Sequence, residues 1–154
     1  MKPQAVLYGA AAVFMLAVSF SGMAAQSPGA EEAKALLNKA VTYFDKNGVA
    51  PAFCAFNDPN GEFHKGPLYV FAINMDGVIF AHSAAPTLIG TSLRDTRDAS
   101  GQPVGVLVME AVATQEDAEV DYVWLNYETN EVEKKHTYLK KLEKFVLGVG
   151  YYSR

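Results

Sequence analysis

The pattern of apolar and polar positions is clearest between Leu68 and Ser83, LYVFAINMDGVIFAHS, where two apolar runs rich in Val, Ile, Phe and Tyr flank the polar break Asn74-Met75-Asp76-Gly77. Strand-forming runs on either side of an Asp-Gly turn predict a β-hairpin, with Gly77 supplying the positive φ that the turn needs. If Ile73 lies opposite Val78, then Phe71 faces Phe80 and Tyr69 faces His82. One sheet face then carries two phenylalanine rings, a phenol and an imidazole, the materials of either a core or a pocket.

The rest of the pattern predicts cover for that hairpin. Ala33, Leu36, Leu37, Ala40, Val41 and Phe44 recur at helical spacing, which makes one amphipathic helix with one buried stripe. Ser27 suits its N-cap, Pro28 its first turn, and Glu31 and Glu32 suit the positive end of its dipole; Asn47-Gly48 ends it. Ala50 to Phe56 adds a short helical turn begun by Pro51, and Asn57-Asp58-Pro59-Asn60-Gly61 is loop chemistry. Residues 84–101, rich in Pro, Thr, Ser, Asp and Gly, form a long crossing segment, a kind of loop that is often functional. After Pro103, the residues Val104, Leu107, Val108, Ala111 and Val112 make a helical stripe, although Val-Gly-Val-Leu-Val also suits a strand. Glu119 to Asn126 alternates with Val120, Tyr122, Trp124 and Asn126 on one face. Glu128-Thr129-Asn130 then turns the chain, Val132 to Leu139 returns, and Phe145 to Tyr152 is the last strand. One long helix followed mainly by five strands predicts an α+β domain with an antiparallel sheet.

Length and charge narrow the function. The 154 residues, 50% hydrophobic and 19% charged, suffice for one core but not two. Met1-Lys2, the apolar run Ala5 to Phe20 and the small residues Ser21 to Ala25 have the layout of an export signal, so residues 1–25 are expected to be removed and residues 26–154 to form the domain. The alternative is an uncleaved inner-membrane anchor, since the run approaches the roughly 17 to 20 residues that cross a bilayer. Without residues 1–25 the chain holds 12 basic and 17 acidic residues, a net charge of −5. That excess of acid disfavours nucleic acid and anionic membrane surfaces as partners.

Candidate chemistry is sparse. Cys54 is the single cysteine; it excludes an internal disulfide, and its apolar neighbours suggest buried filler. His64, His82 and His136 lack metal-ligand spacing, and Asn57 to Gly61 lacks the alternating ligands of a calcium loop, so no metal is expected. Gly148-Val149-Gly150 precedes no helix; it fits close packing in a terminal strand, and no cofactor is expected. No nucleophile motif is present, and the expectation is a protein that is not an enzyme. Tyr69, His82, Trp124 and Tyr138 suit a pocket wall, aromatic bodies with polar tips, or else an ordinary sheet core, and Phe71 and Tyr122 are expected to line the same site. Lys135, inside a strand, either reaches solvent or pairs with an anion.

The order of short motifs along the chain carries a resemblance. Phe56-Asn57-Asp58 with Gly61 and Phe63, Gly66 to Phe71, Asp76-Gly77, Ala81-His82 and Leu88-Ile89-Gly90 resemble the consensus of single Cache domains, the extracytoplasmic sensor modules of bacteria. Tyr122 to Asn126, Val132-Glu133, Lys135, Tyr138 and Phe145 to Tyr152 continue it in order. The resemblance implies a long N-terminal helix packed on a PAS-like antiparallel sheet, with a small metabolite bound over that sheet. The implied ligand is a short carboxylate or an amino-acid-like molecule, held by Tyr69, Phe71, His82, Tyr122, Trp124, Lys135 and Tyr138. Pro67, Ala84 and Tyr127 depart from the family pattern, so no particular ligand carries over. Family members usually sit within transmembrane receptors or kinases. The expectation here is a stand-alone periplasmic domain that passes occupancy to a separate membrane receptor or kinase, with a homodimer through the N-terminal helix as a further partner. The alternative is a structural or interaction protein whose sheet face is filled by its own side chains.

Overall fold

The computed structural model describes residues 29–153. Helix α1 (Ala30–Asn47) is followed by α2 (Val49–Phe56), then strands β1 (His64–Lys65), β2 (Leu68–Asn74) and β3 (Ile79–His82). A short 3-10 turn, Pro86–Leu88, lies in the crossing segment before α3 (Val104–Thr114), β4 (Asp117–Asn126), β5 (Glu131–Lys141) and β6 (Phe145–Ser153). The sheet is antiparallel throughout, in the order β1-β2-β6-β5-β4, and β3 also pairs with β2. Six strands form it where five are expected from the sequence. The sixth, β1, is a two-residue pairing of His64 with Tyr69 and Lys65 with Leu68, too short to leave a periodic signal.

Both sheet faces are buried, which explains why β2 reads as an unbroken apolar run. Leu68, Val70, Ala72, Leu147 and Val149 face the two N-terminal helices and pack with Ala33, Leu37, Ala40, Phe53, Phe56 and Phe63. Phe71, Ile73, Val120, Tyr122, Leu139 and Val146 face the other way, under Leu93 and the α3 residues Val104, Val108 and Val112. The second apolar stripe is therefore a helix, not a strand. Pro103 precedes it, and Val104, Val108 and Val112 project from one side onto the sheet.

Three sequence expectations change. Phe71 pairs with His82, Ala72 with Ala81 and Ile73 with Ile79, with a register shift between Ala72 and Ile73. The Asn74 side chain accounts for the difference locally: its Oδ1 accepts the N–H groups of Asp76 and Val78, and five residues, Asn74 to Val78, separate the paired Ile73 and Ile79 where four are expected. Phe80 consequently lies on the helix face, 40% exposed, beside Phe53 and Phe145, and it does not share a face with Phe71. Cys54 is exposed and is not core filler; Ala52, Phe53 and Phe56 supply the buried side of α2. The N-cap of α1 is Gly29, whose N–H donates to the Glu32 carboxylate at 3.1 Å. Ser27, Pro28 and the export segment lie outside the described residues. Among those described, no helix is long and apolar enough to cross a membrane.

Two loop side chains fasten the hairpin and the crossing segment to the sheet. Asn57 donates to the Phe80 carbonyl at 3.1 Å and accepts from the His82 N–H at 2.9 Å. Asp98 is buried and takes four hydrogen bonds. Its Oδ1 accepts from the Ser100 N–H and hydroxyl and from the Gln102 N–H, and its Oδ2 accepts from the Val123 N–H of β4. Burial opposes its charge, but these donors outweigh burial and hold the carboxyl below its usual range.

Candidate functional site: a buried lysine in an apolar cavity

Between the sheet and the crossing segment lies a small cavity of about 30 Å³, lined by Phe71, Ile73, Ile79, His82, Leu88, Leu93, Val104, Tyr122, Trp124 and Lys135. Strand alternation places its polar groups: Lys135 on β5 and Tyr122 and Trp124 on β4 point to the same side as Phe71 and Ile73 on β2. The strand β6 between them makes the room. A Cβ at Gly150 would stand 2.2 Å from Lys135 Cε, and one at Gly148 would stand 2.2 Å from Phe71 Cζ. Close packing in the terminal strand, anticipated from its small residues, is what lets a lysine stem and a phenyl ring cross β6.

Lys135 is 2% exposed. Its Nζ donates to the Tyr69 hydroxyl at 2.7 Å and lies 4.3 Å from the centre of that ring and 5.2 Å from the centre of the Tyr152 ring. Among the described residues no carboxylate pairs with it. Burial without an opposite charge pushes its pKa down to about 7. The His82 ring packs tilted against Tyr69, ring centres 4.7 Å apart. Burial first, and then the neighbouring Lys135 charge, hold His82 down at about 3, so its ring is neutral at physiological pH. Its Nδ1 accepts from the Ala85 N–H at 3.0 Å, which leaves the ring proton on Nε2 as a donor. Thr137 donates to the Tyr122 hydroxyl at 3.1 Å, and burial raises that phenol to about 12. Lys135 and His82 are thus the basic side chains of a lining that is otherwise aromatic and aliphatic, with no acidic group in it.

Of the residues expected to form the site, Phe71, His82, Tyr122, Trp124 and Lys135 line this cavity, and Tyr69 touches it through Lys135. Tyr138 stands apart. Three positions from Lys135, it has the opposite strand parity and packs on the helix side under Lys34, whose Nζ is 4.9 Å from its ring centre. The hydrophobic cover of the cavity, Leu88, Leu93 and Val104, is not assigned to the site from sequence: Val104 reads as part of a helical stripe, Leu88 as part of a short motif, and Leu93 falls in neither. The signal for the two leucines is that they stand isolated in an otherwise polar crossing segment.

On the helix side, Glu119, Asp121 and His136 bring one ligand atom each within 4.8 Å of one another. Both ring nitrogens of His136 are already engaged: Nδ1 lies 2.7 Å from Asp121 Oδ1 and Nε2 2.8 Å from Ser153 Oγ. Asp121 and His136 thus belong to a surface hydrogen-bond network, in which Lys134 also pairs with Asp121 at 3.3 Å.

Known structures share this architecture. A methyl-accepting chemotaxis protein from Vibrio parahaemolyticus aligns with a TM-score of 0.65 at 23% identity, over 79% of this chain and 86% of that one. A Cache chemosensory domain described for carboxylic acid recognition aligns at 0.61 and 19% identity, over 80% and 88%. A periplasmic sensor domain of a chemotaxis protein aligns at 0.57 and 20% identity, over 80% and 90%. At these identities the likeness is one of fold. No curated protein sequence matches the chain. The family model Single Cache domain 2 matches residues 57–154, more than half the chain and all six strands; the chain belongs to the single Cache domains, sensory modules that bind small ligands.

Proposed function

We propose that the domain senses a short organic acid, whose carboxylate pairs with Lys135 and His82 Nε2 and whose hydrocarbon part lies against Phe71, Trp124 and Val104. One observation carries this reading: a lysine 2% exposed whose hydrogen-bond partner is a neutral phenol. An unpaired buried ammonium costs several kcal/mol on the usual scale, and an anionic ligand offsets that cost directly. The lining contains no acidic side chain. An amino acid would bring an ammonium group with no counter-charge to meet it, so the chemistry favours a simple carboxylate over an amino-acid-like ligand. Size points the same way. A cavity of about 30 Å³ has room for one or two waters, which suits an acid of two or three carbons after slight side-chain movement. The structurally similar Cache chemosensory domain described for carboxylic acid recognition agrees with this class.

Occupancy passes, in this proposal, to a separate membrane receptor or kinase, and the domain works in the periplasm after removal of residues 1–25. The competing reading is a structural protein with a filled sheet face, and the smallness of the cavity favours it. Against it stands Lys135, since a face filled only for stability gains nothing from a lone buried charge. The deciding measurement is calorimetric titration of acetate and propionate into residues 26–154 and into Lys135→Met and His82→Ala. Binding by the parent that Lys135→Met loses while keeping its thermal transition supports the sensor. No heat from either acid with the parent supports the filled core.

A further inference from the structure

A second concavity lies on the outer side of Tyr69. This open cleft of about 420 Å³ is lined by Pro59, His64, Gly66, Pro67, Tyr69, Ser83, Ala84, Tyr127 and Glu128. The Tyr69 and His82 rings, tilted against each other with centres 4.7 Å apart, stand between it and the lysine cavity, Tyr69 lining the cleft and His82 the cavity. Tyr127, from the turn between β4 and β5, lies 6.3 Å from Tyr69 and 6.2 Å from His82. The cleft thus has its own aromatic wall.

What distinguishes this cleft is unmet hydrogen bonding. Among the described residues, two buried side-chain polar atoms have no partner, His64 Nδ1 and Ser83 Oγ, and both residues line this one cleft. Ser83 is 4% exposed. A buried hydroxyl without a partner is costly, and native proteins retain such groups where a water or ligand satisfies them. The cleft has one acidic side chain, Glu128, and no basic one apart from the histidine. The Glu128 carboxylate pairs with no cation among the described residues; it lies beside Gly66, 3.2 Å from where a Cβ would stand. A carboxylate, a hydroxyl, an imidazole nitrogen and aromatic faces together recognise a positive charge with a hydrogen-bonding group next to it.

We infer that this outer cleft is a second binding site, separate from the lysine cavity, for a small amino alcohol or similar organic ammonium compound. The ammonium meets Glu128 and the Tyr127 ring, and its neighbouring hydroxyl meets Ser83 Oγ and His64 Nδ1. The two sites have opposite preferences, an anion on the Lys135 side of the Tyr69 ring and a cation on the outer side.

Ethanolamine hydrochloride is the probe, titrated into isotopically labelled residues 26–154 and followed by amide chemical shifts, with sodium chloride of equal ionic strength as the blank. The expected result is a saturable shift centred on His64, Ser83, Tyr127 and Glu128, weakened roughly tenfold by Glu128→Gln, the scale of a lost charged hydrogen bond, and also weakened by Ser83→Ala. Lys135→Met should bind ethanolamine as the parent does. That variant separates this site from the acid site, because Lys135 lines the inner cavity and not this cleft. Ser83→Ala removes a hydroxyl that has no partner and should fold as stably as the parent, so its weaker binding reports the site itself. Shifts identical to the salt blank, binding unchanged in both Glu128→Gln and Ser83→Ala, or shifts centred on the Lys135 cavity would each overturn the inference.

Discussion

Gly150 and Lys135 occupy one space: the lysine stem crosses β6 where a Cβ on residue 150 would come within 2.2 Å of its Cε. The absence of one methyl group on β6 is therefore what lets a charged side chain of β5 reach the cavity and hydrogen-bond to Tyr69 on β2. Gly150→Ala should displace Lys135 and lower stability by about 1 to 3 kcal/mol, the usual cost of overpacking. The same variant should lose acid binding. Chemical denaturation and calorimetry check the two effects, and a variant that binds acid normally would show that the lysine reaches the ligand by another path.

The buried bases set a pH dependence with a definite sign. Lys135 titrates at about 7 in the fold against 10.5 ordinarily, so between those values the unfolded chain holds a proton that the folded domain has released. Stability of the ligand-free domain therefore rises with pH across that window. His82, at about 3 against 6.5, gives a rise of the same sign at lower pH. Thermal melts from pH 4 to 10, scales anchored on those two shifts, should show both rises, and Lys135→Met should remove the upper one. Acid binding runs the opposite way. It needs the ammonium, so affinity should fall about tenfold per pH unit above about 7.

Asp98 ties the crossing segment to the edge strand through its four hydrogen bonds. Asp98→Ala leaves the Val123 N–H without its acceptor, and the expected loss is at least about 1 to 3 kcal/mol. Its carboxyl titrates below the ordinary 3.8, so its contribution is present above that pH and disappears as pH falls through the lower folded value. Urea unfolding at neutral and acid pH checks this. The penalty of the variant should shrink in acid.

Leu37 lies in the buried stripe of α1 at 6% exposure. Leu37→Ala should cost about 2 to 5 kcal/mol, measured by urea unfolding of residues 26–154. A loss within about 0.5 kcal/mol, the range of a surface change, would mean that α1 detaches from the sheet in solution and is held by a partner such as a second copy.

The export reading has its own test. Terminal sequencing of periplasmic material should place the mature N-terminus between Ala24 and Ser27, where the small residues end. Intact Met1 in the membrane fraction would establish the uncleaved anchor.

Much of this protein was legible in the order of its residues because its strongest signals are local. The Leu37 stripe, the Asp76-Gly77 turn and the alternation of Val120, Tyr122 and Trp124 each depend on near neighbours, since helix and strand periodicities repeat within a few residues. Aromatic and imidazole side chains in those strands made Phe71, His82, Tyr122 and Trp124 candidate wall residues, whereas Tyr138, expected beside them, has the opposite strand parity to Lys135 and lies on the helix face. Sequence patterning did not settle what lies across the sheet. The register of β3 turned on two hydrogen bonds to Asn74 Oδ1, a competition between side chain and ladder that residue type does not resolve. The pairing of His64 with Tyr69 was too short to have a period. The cover residues Leu88 and Leu93 come from a segment with no regular pattern, and the gap at Gly150 has meaning only once β5 lies beside it. A cavity is the space left among elements distant in sequence, so its shape is a property of their packing. That packing turned a strand lysine, whose sequence allowed either solvent or an anion, into a buried charge facing an apolar hollow.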